Sequence, residues 1–299
     1  MDRIDLFRIF TRVVECASFT KAAATLGVPR SSVSAAVIEL EARVGARLLH
    51  RTTRKVSLTQ DGAAFYERCG RVIADVEDTE NLFRQTSAKP SGRLRIDVPG
   101  RIGRLVIAPS LSGFLERYPE IDIELGVTDR AVDLVQDGVD CVLRVGPLSD
   151  SGLIARQIGK LPLINVASPA YIGKHGTPKS PNGLGDHWAV NYASPSSGRI
   201  EQWEWMEDGD LRTITMRSRV TVNSAEAYIA CCLAGLGLIQ IPAYDVKEHL
   251  EAGELVEVMP ERRADDMPLT LLYPHRQHVS RRLQVFADWL EVLLKQQIL

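Results

Sequence analysis

The run Ser18-Phe19-Thr20-Lys21-Ala22-Ala23-Ala24-Thr25-Leu26-Gly27-Val28-Pro29-Arg30-Ser31-Ser32-Val33-Ser34 constrains this chain more than any other stretch. Ser18 is a good N-cap for a helix that buries Phe19, Ala22, Ala23 and Leu26. The alanines let a second helix approach closely, and Gly27 supplies the positive φ that stops the first. Pro29 is expected just inside the next helix, where its missing N–H costs nothing. Upstream, Leu6, Ile9, Phe10, Val13 and Val14 recur at helical spacing and predict an amphipathic helix over residues 3–16. In the third helix Val33, Val37 and Leu40 turn inward, which leaves Arg30, Ser31, Ser32, Ser34 and Ala35 facing out. Two helices joined by a tight turn, the second with short polar groups outward, suit a DNA major groove. Hydroxyls near a helix start are often only caps, but here they follow an alanine-rich helix and a glycine turn.

After Gly45, residues 47–59 read as a short hairpin, a basic wing beside the third helix. Arg51, Arg54 and Lys55 are expected on phosphates or in the minor groove. Charge is unevenly placed. Residues 1–60 hold ten Lys/Arg against five Asp/Glu, a net +5, and the whole chain carries −2, so the remainder carries −7. A basic head on an acidic body confines the nucleic-acid contact to the N-terminus.

Thr59 can cap a helix over residues 60–86. Along it Phe65, Cys69, Val72, Val76, Thr79 and Phe83 are spaced 4, 3, 4, 3, 4. This heptad stripe predicts a seam between two copies of the chain, whose heads would then read two half-sites one DNA turn apart. Residues 87–92 break the helix and read as a hinge.

The head resembles the LysR-type transcriptional regulators. The matching residues are Ser18-Phe19-Thr20-Lys21-Ala22-Ala23, Ser34, Leu40-Glu41, Gly45, Arg47-Leu48-Leu49, Arg51-Thr52-Thr53-Arg54 and Leu58-Thr59-Gln60-Asp61-Gly62. Arg30 stands where many members carry Gln, and Ala35 where many carry Arg. The resemblance implies double-stranded DNA with an interrupted palindromic operator as partner, self-association as a dimer or tetramer, and contact with RNA polymerase. It places Thr20, Pro29, Arg30, Ser31, Ser32, Ser34, Ala35, Arg51, Arg54 and Lys55 at the DNA.

From Arg93 onward strands alternate with helices. Strands are predicted at residues 94–98, 121–127 and 141–145, with helices at 102–117 and 132–136, an order that implies a parallel sheet with helices on both sides. A second unit follows, with strands at 163–167 and 188–192, a helix at 225–233 and a strand near 237–242. A strand at 269–273 and a helix at 279–294 close the chain. Two such lobes resemble the type 2 periplasmic-binding-protein fold, which in the LysR-type family is the effector-binding domain. Tyr118-Pro119, Arg144-Val145-Gly146-Pro147 and Ala234-Gly235-Leu236-Gly237 sit where the family has such residues. The expected organisation is a winged helix-turn-helix domain at 1–58, a linker helix and hinge at 59–92, and a two-lobe α/β domain at 93–299. Lobe I takes residues 93–162 and 267–299, and lobe II takes 163–266.

Ligands of open α/β sheets bind at the carboxyl ends of strands, between lobes. Gly100, Arg101, Ile102 and Gly103 open the helix after the first strand, and Thr128 follows the second. Asn223 and Ser224 open the helix of lobe II. Helix N-termini favour an anion, and Arg101, Arg144 and Arg199 offer matching charge, so a small anionic effector is expected. Gly146, Tyr192, Ser194 and Pro242 complete the candidate wall.

Nothing in the sequence favours an enzyme: there is no nucleophile elbow, no phosphate loop and no metal-ligand spacing. No cofactor, metal or membrane partner is expected. Asp2, Arg3 and Asp5 interrupt any secretory leader, and no run approaches the roughly 20 apolar residues of a membrane span. The five cysteines, Cys16, Cys69, Cys141, Cys231 and Cys232, show no disulfide pattern, so a cytoplasmic, reduced protein is expected. Trp203 and Trp205 alternate as on a half-covered strand, and His275 and His278 lack companions. Two alternatives differ in class: a redox sensor that uses a cysteine in place of a ligand, and a ligand-binding protein whose DNA head is vestigial.

Overall fold

Asp2 accepts the Asp5 amide at 2.8 Å, and the Asp5 carboxylate returns to the Asp2 amide at 3.3 Å. This capping box starts α1 (Arg3–Cys16). The computed structural model describes residues 1–51, 56–81, 89–130, 134, 137–148, 152–195, 197–274 and 279–299. These divide into two compact units, Met1–Lys89 and Pro90–Leu299.

In the head, the Lys21 amide donates to Ser18 Oγ at 3.3 Å to open α2 (Phe19–Leu26), and Gly27, at φ +64°, closes it. The next helix, α3 (Arg30–Val44), ends at Gly45, φ +75°. Pro29 lies one residue before α3, not inside it. Its extended backbone turns the carbonyl to accept the Ser32 and Val33 amides at 3.0 and 3.3 Å. Leu6, Phe10, Val13, Ala22, Val33, Ala36 and Val37 are wholly buried and form the three-helix core.

The wing pairs β1 (Leu49–Arg51) antiparallel with β2 (Val56–Leu58). Glu41 Oε1 accepts the amides of Leu48 and Leu49 at 2.9 and 3.1 Å, tying the end of α3 to the wing. Thr59 then caps α4 (Gln60–Asn81). Its hydroxyl accepts the Gly62 amide at 2.8 Å and donates to the Arg47 carbonyl at 2.7 Å. Position 62 must be glycine, because a Cβ there would lie 1.9 Å from the Leu48 carbonyl oxygen.

The expected seam is corrected at its start. Cys69 is buried within its own head, and the Phe65 ring meets Phe7 and Phe10 edge-on at 5.7 Å each. Packing onto the head uses the same helical spacing as pairing between chains, so these two residues serve the head. Val72 is exposed and Val76 half-buried. The expectations placed on Thr52, Thr53, Arg54, Lys55, Phe83, Ser87, Ala88, His275, His278 and the helix at 132–136 fall outside the described residues, as do those on the side chains of Arg51 and Thr79.

The body begins with β3 (Gly92–Val98). There follow α5 (Gly100–Ile102), a wide π turn over Gly103–Ile107, and α6 (Ala108–Arg117). Pro109 has no N–H for the carbonyl four residues back, which accounts for a widened turn just before it. Next come β4 (Ile121–Val127), β5 (Cys141–Val145), β6 (Ile154–Leu161) and β7 (Leu163–Ala167). They lead to α7 (Pro169–His175), β8 (Trp188–Tyr192), β9 (Trp203–Glu207), β10 (Asp210–Ile214) and β11 (Arg217–Val222). The chain closes with α8 (Ala225–Leu233), β12 (Ile239–Pro242), α9 (Lys247–Glu251), β13 (Val256–Glu257), β14 (Met267–Tyr273) and α10 (Arg281–Gln297).

Lobe I is built on one sheet in the order β4-β3-β5-β14-β6. The first three strands are parallel, as expected, but β14 runs antiparallel to both β5 and β6. The sheet is therefore mixed, because the chain re-enters lobe I from lobe II with β14 running the other way. Lobe II holds the sheet β12-β7-β13, the parallel pair β11-β8 and the hairpin β9-β10. Gly237 allows the approach between β8 and the segment leading into β12, since a Cβ there would lie 2.7 Å from the Ala189 carbonyl carbon. Trp203 is buried on β9 and Trp205 half-buried beside it.

Candidate functional site

The head presents a polar surface at the start of α3. Arg30, Ser31 and Ala35 are exposed, and Ser32 and Ser34 are half-buried, while the opposite face supplies Val33, Ala36, Val37 and Leu40 to the core. Thr20 and Pro29 are exposed beside this surface. Arg30 is exposed and has no ion-pair partner among the described residues. Ile38 was missed by sequence reasoning. It is 53% exposed and continues the outward row Ser31, Ala35, Ile38, a spacing of four and three that the sequence already contained.

In the body, the candidate effector residues divide. Arg101 is buried and its donors are taken by lobe II: Nε lies 2.7 Å from Asp245 Oδ1, Nη1 2.8 Å from Glu226 Oε2, and Nη2 donates to the Asp245 carbonyl. Arg144 is paired inside lobe I, with Nη1 3.3 Å from Asp97 Oδ1 and Nη2 2.9 Å from the Arg130 carbonyl. Neither arginine is left as a free anion receptor. Ile102 is wholly buried in the lobe I core, and Gly103 packs so closely that a Cβ would lie 2.9 Å from Val98 Cγ2. These two are packing residues.

The Gly100 amide already donates to Asp129 Oδ1 at 2.9 Å, Thr128 Oγ1 accepts the Arg130 amide at 3.1 Å, and the Gly146 amide donates to the Pro268 carbonyl. Pro242 is held in β12, opposite Leu163.

The lobe II residues are placed differently. Ser224 opens α8 without a side-chain cap bond, and Asn223 and Arg199 are exposed. Ser194 shapes its loop, its amide donating to the Arg199 carbonyl at 2.8 Å. The Tyr192 ring lies 5.3 Å from that of Tyr228. Burial pushes its hydroxyl pKa up, with Asp129, Glu201 and Asp245 adding to the rise. Asp245 and Glu226 were not anticipated, because their bonds to Arg101 span the two lobes, and nor was Arg104, which pairs with Glu226. No group of three or more His, Cys, Asp or Glu suited to a metal ion occurs among the described residues. None of the described helices is long and apolar enough to cross a membrane.

A winged helix-turn-helix joined to a two-lobed α/β body defines a DNA-binding regulator with a ligand-binding type of body. Residues 4–63 match the family model described as bacterial regulatory helix-turn-helix protein, lysR family, and residues 87–294 match the LysR substrate binding domain. The chain belongs to the LysR-type transcriptional regulators. It is 41% identical over 305 residues to the uncharacterized HTH-type transcriptional regulator YhjC of Escherichia coli K12, across 99% of each chain. It is 36% identical over 290 residues to an HTH-type transcriptional repressor of Pseudomonas aeruginosa, covering 97% of this chain and 91% of that one. The solved structure of CrgA, a LysR-type regulator from Neisseria meningitidis, matches with a TM-score of 0.60 at 32% identity, over 96% of this chain and 97% of that chain.

Proposed function

We propose that this transcriptional regulator reads a specific operator through Arg30, Ser31, Ser34 and Ala35, under the control of a small molecule held between lobes I and II. The observation that carries the reading is α3, whose inner face is fully committed to the core while its first two turns offer short polar groups and Arg30, exposed and with no ion-pair partner among the described residues. Effector binding would select one arrangement of the lobes, change the spacing of two DNA heads and so change the bend or register of the site. Val72 and Val76 extend the linker stripe beyond the head core and support pairing of two chains. RNA polymerase is the further partner, and the cytoplasm, where the DNA is, the place of action.

For the effector, the start of α8 at Ser224 and the exposed Arg199 support an anion, whereas Arg101 and Arg144 add nothing to it. The redox alternative draws no support from Cys69, Cys141 and Cys232. Burial raises all three thiol pKa values, to about 12 for Cys69 and Cys232, and the thiolate is the reactive form.

The test uses an operator selected from random duplex DNA by the wild-type chain. Arg30→Ala should weaken binding and flatten the dependence of affinity on salt by about one phosphate contact, or lose discrimination by about 1–3 kcal/mol if Arg30 reads a base. Unchanged affinity, salt slope and sequence preference would remove Arg30 from the interface.

A further inference from the structure

One charged cluster ties the two lobes of the body together. Arg101, on α5 of lobe I, donates through Nε to Asp245 Oδ1, through Nη2 to the Asp245 carbonyl, and through Nη1 to Glu226 Oε2. Arg104 reaches the other oxygen of Glu226 at 2.9 Å. Asp245 follows β12 and Glu226 sits in the first turn of α8, both in lobe II, so each of these bonds crosses between lobes.

The two carboxylates differ in surroundings. The Asp245 side chain is 5% exposed and that of Glu226 54%. The charged and titratable groups that act on Asp245 come from several elements. Arg101 approaches from α5, Glu226 from α8 and Tyr244 from its own turn, where the Tyr244 hydroxyl bonds it. Tyr192 on β8 feels its charge, and Asp129, beyond β4, acts on the same two tyrosines.

We propose that the Arg101–Asp245–Glu226 cluster is a proton-linked latch, in which proton uptake by Asp245 favours the lobe arrangement seen here and rising pH loosens it. Ionised Asp245 gives up its water for one guanidinium and the Tyr244 hydroxyl, and Glu226 repels it. Burial pushes its carboxyl from 3.8 up to about 6 even though Arg101 pulls the other way. With the lobes apart, Asp245 returns to water and to the ordinary carboxylate range. The proton therefore binds the latched arrangement more tightly than the open one, and by linkage acid favours the latch. Neutral Asp245 still accepts from Arg101 Nε, and Glu226 still balances the arginine charge. The preference is full below the ordinary carboxylate value and is lost as pH rises through about 6. At tenfold per unit, acidification from about 6 to 5.0 should raise the ratio of latched to open forms by up to roughly tenfold. The inference needs the two lobes and not the effector, so a blank in a ligand screen leaves it standing.

The test uses the full-length chain with nitroxides at Glu116→Cys on α6 and Lys174→Cys on α7, both exposed positions, and with Cys16 and Cys231 changed to Ser. Labelled chain is diluted in unlabelled chain, and the distance between labels is measured by pulsed electron resonance from pH 7.5 to 5.0. One distance population should grow on acidification. Asp245→Asn should abolish that response, and Glu226→Gln should keep it. An identical wild-type distribution across this range, or a full response in Asp245→Asn, would overturn the latch. If Asp245→Asn does not fold, the wild-type titration decides: growth of one population that sets in as pH falls through about 6 supports the latch, and no growth down to pH 5.0 contradicts it.

Discussion

Removing the Phe65 ring tests whether the first half of α4 belongs to the head. The ring meets Phe7 and Phe10 at 5.7 Å with interplanar angles of 82° and 64°. Truncating a fully buried Phe to Ala costs about 3–5 kcal/mol, and edge-to-face pairs contribute about 0.5–1.5 kcal/mol each. Phe65 is half-buried, so Phe65→Ala should cost the head about 2–3 kcal/mol by the same scale. For a small domain that loses about 1 kcal/mol per molar urea, the midpoint should fall by about 2–3 M.

The two units can be followed separately. All four tryptophans, Trp188, Trp203, Trp205 and Trp289, lie in the body. The helical circular dichroism of the head should shift to lower urea while the tryptophan transition stays in place. Repeating the titration at tenfold different protein concentration should leave the size of the shift unchanged, because the contact lies within one chain. If the head transition stays where it was and sedimentation shows weakened self-association, the ring belongs to the seam between chains and the packing argument is refuted.

Two further outcomes follow from lobe II. Gly237→Ala would place its Cβ 2.7–2.9 Å from backbone atoms of Trp188, Ala189 and Val190. Parting those segments should cost about 1–3 kcal/mol and lower the tryptophan-reported transition, with the head unaffected. His187 is buried, with Nδ1 3.1 Å from the Tyr171 hydroxyl, and burial followed by the charge of His175 lowers its pKa from 6.5. The neutral form is therefore preferred in the folded state: its contribution is present above 6.5 and lost as pH falls through the lowered value. An NMR titration of the His187 ring should give a midpoint below 6.5, and one at or above 6.5 would contradict the packing around it.

What the sequence made legible was local. The spans Arg3–Cys16, Ile121–Val127, Leu163–Ala167, Trp188–Tyr192 and Ala225–Leu233 match their expected limits, because each carries its own apolar period and its own stops. β6 and β11 escaped, since their half-exposed, arginine-containing alternation looks like a surface loop until a neighbouring strand is in place. The direction of β14 depends on a return from the other lobe, which no local pattern records. Arg101 was chosen for its charge and its position after a strand. Its partners lie 125 and 144 residues away, too far for spacing to reveal that the charge is already answered. Phe65 and Cys69 misled for a different reason: one face of a helix has one period, whether it packs on its own domain or on a second chain.

The central claim is that a small molecule between the lobes controls this regulator. Its most direct test is urea or thermal unfolding of the full chain, read by tryptophan emission, against a metabolite set rich in carboxylates and aromatics. A ligand at about 100 times its dissociation constant should add roughly 2.7 kcal/mol to the body transition. That gain should vanish in Ser224→Leu, which places bulk at the uncapped start of α8. The same gain in wild type and variant, or a ligand that moves only the head transition, would contradict the account.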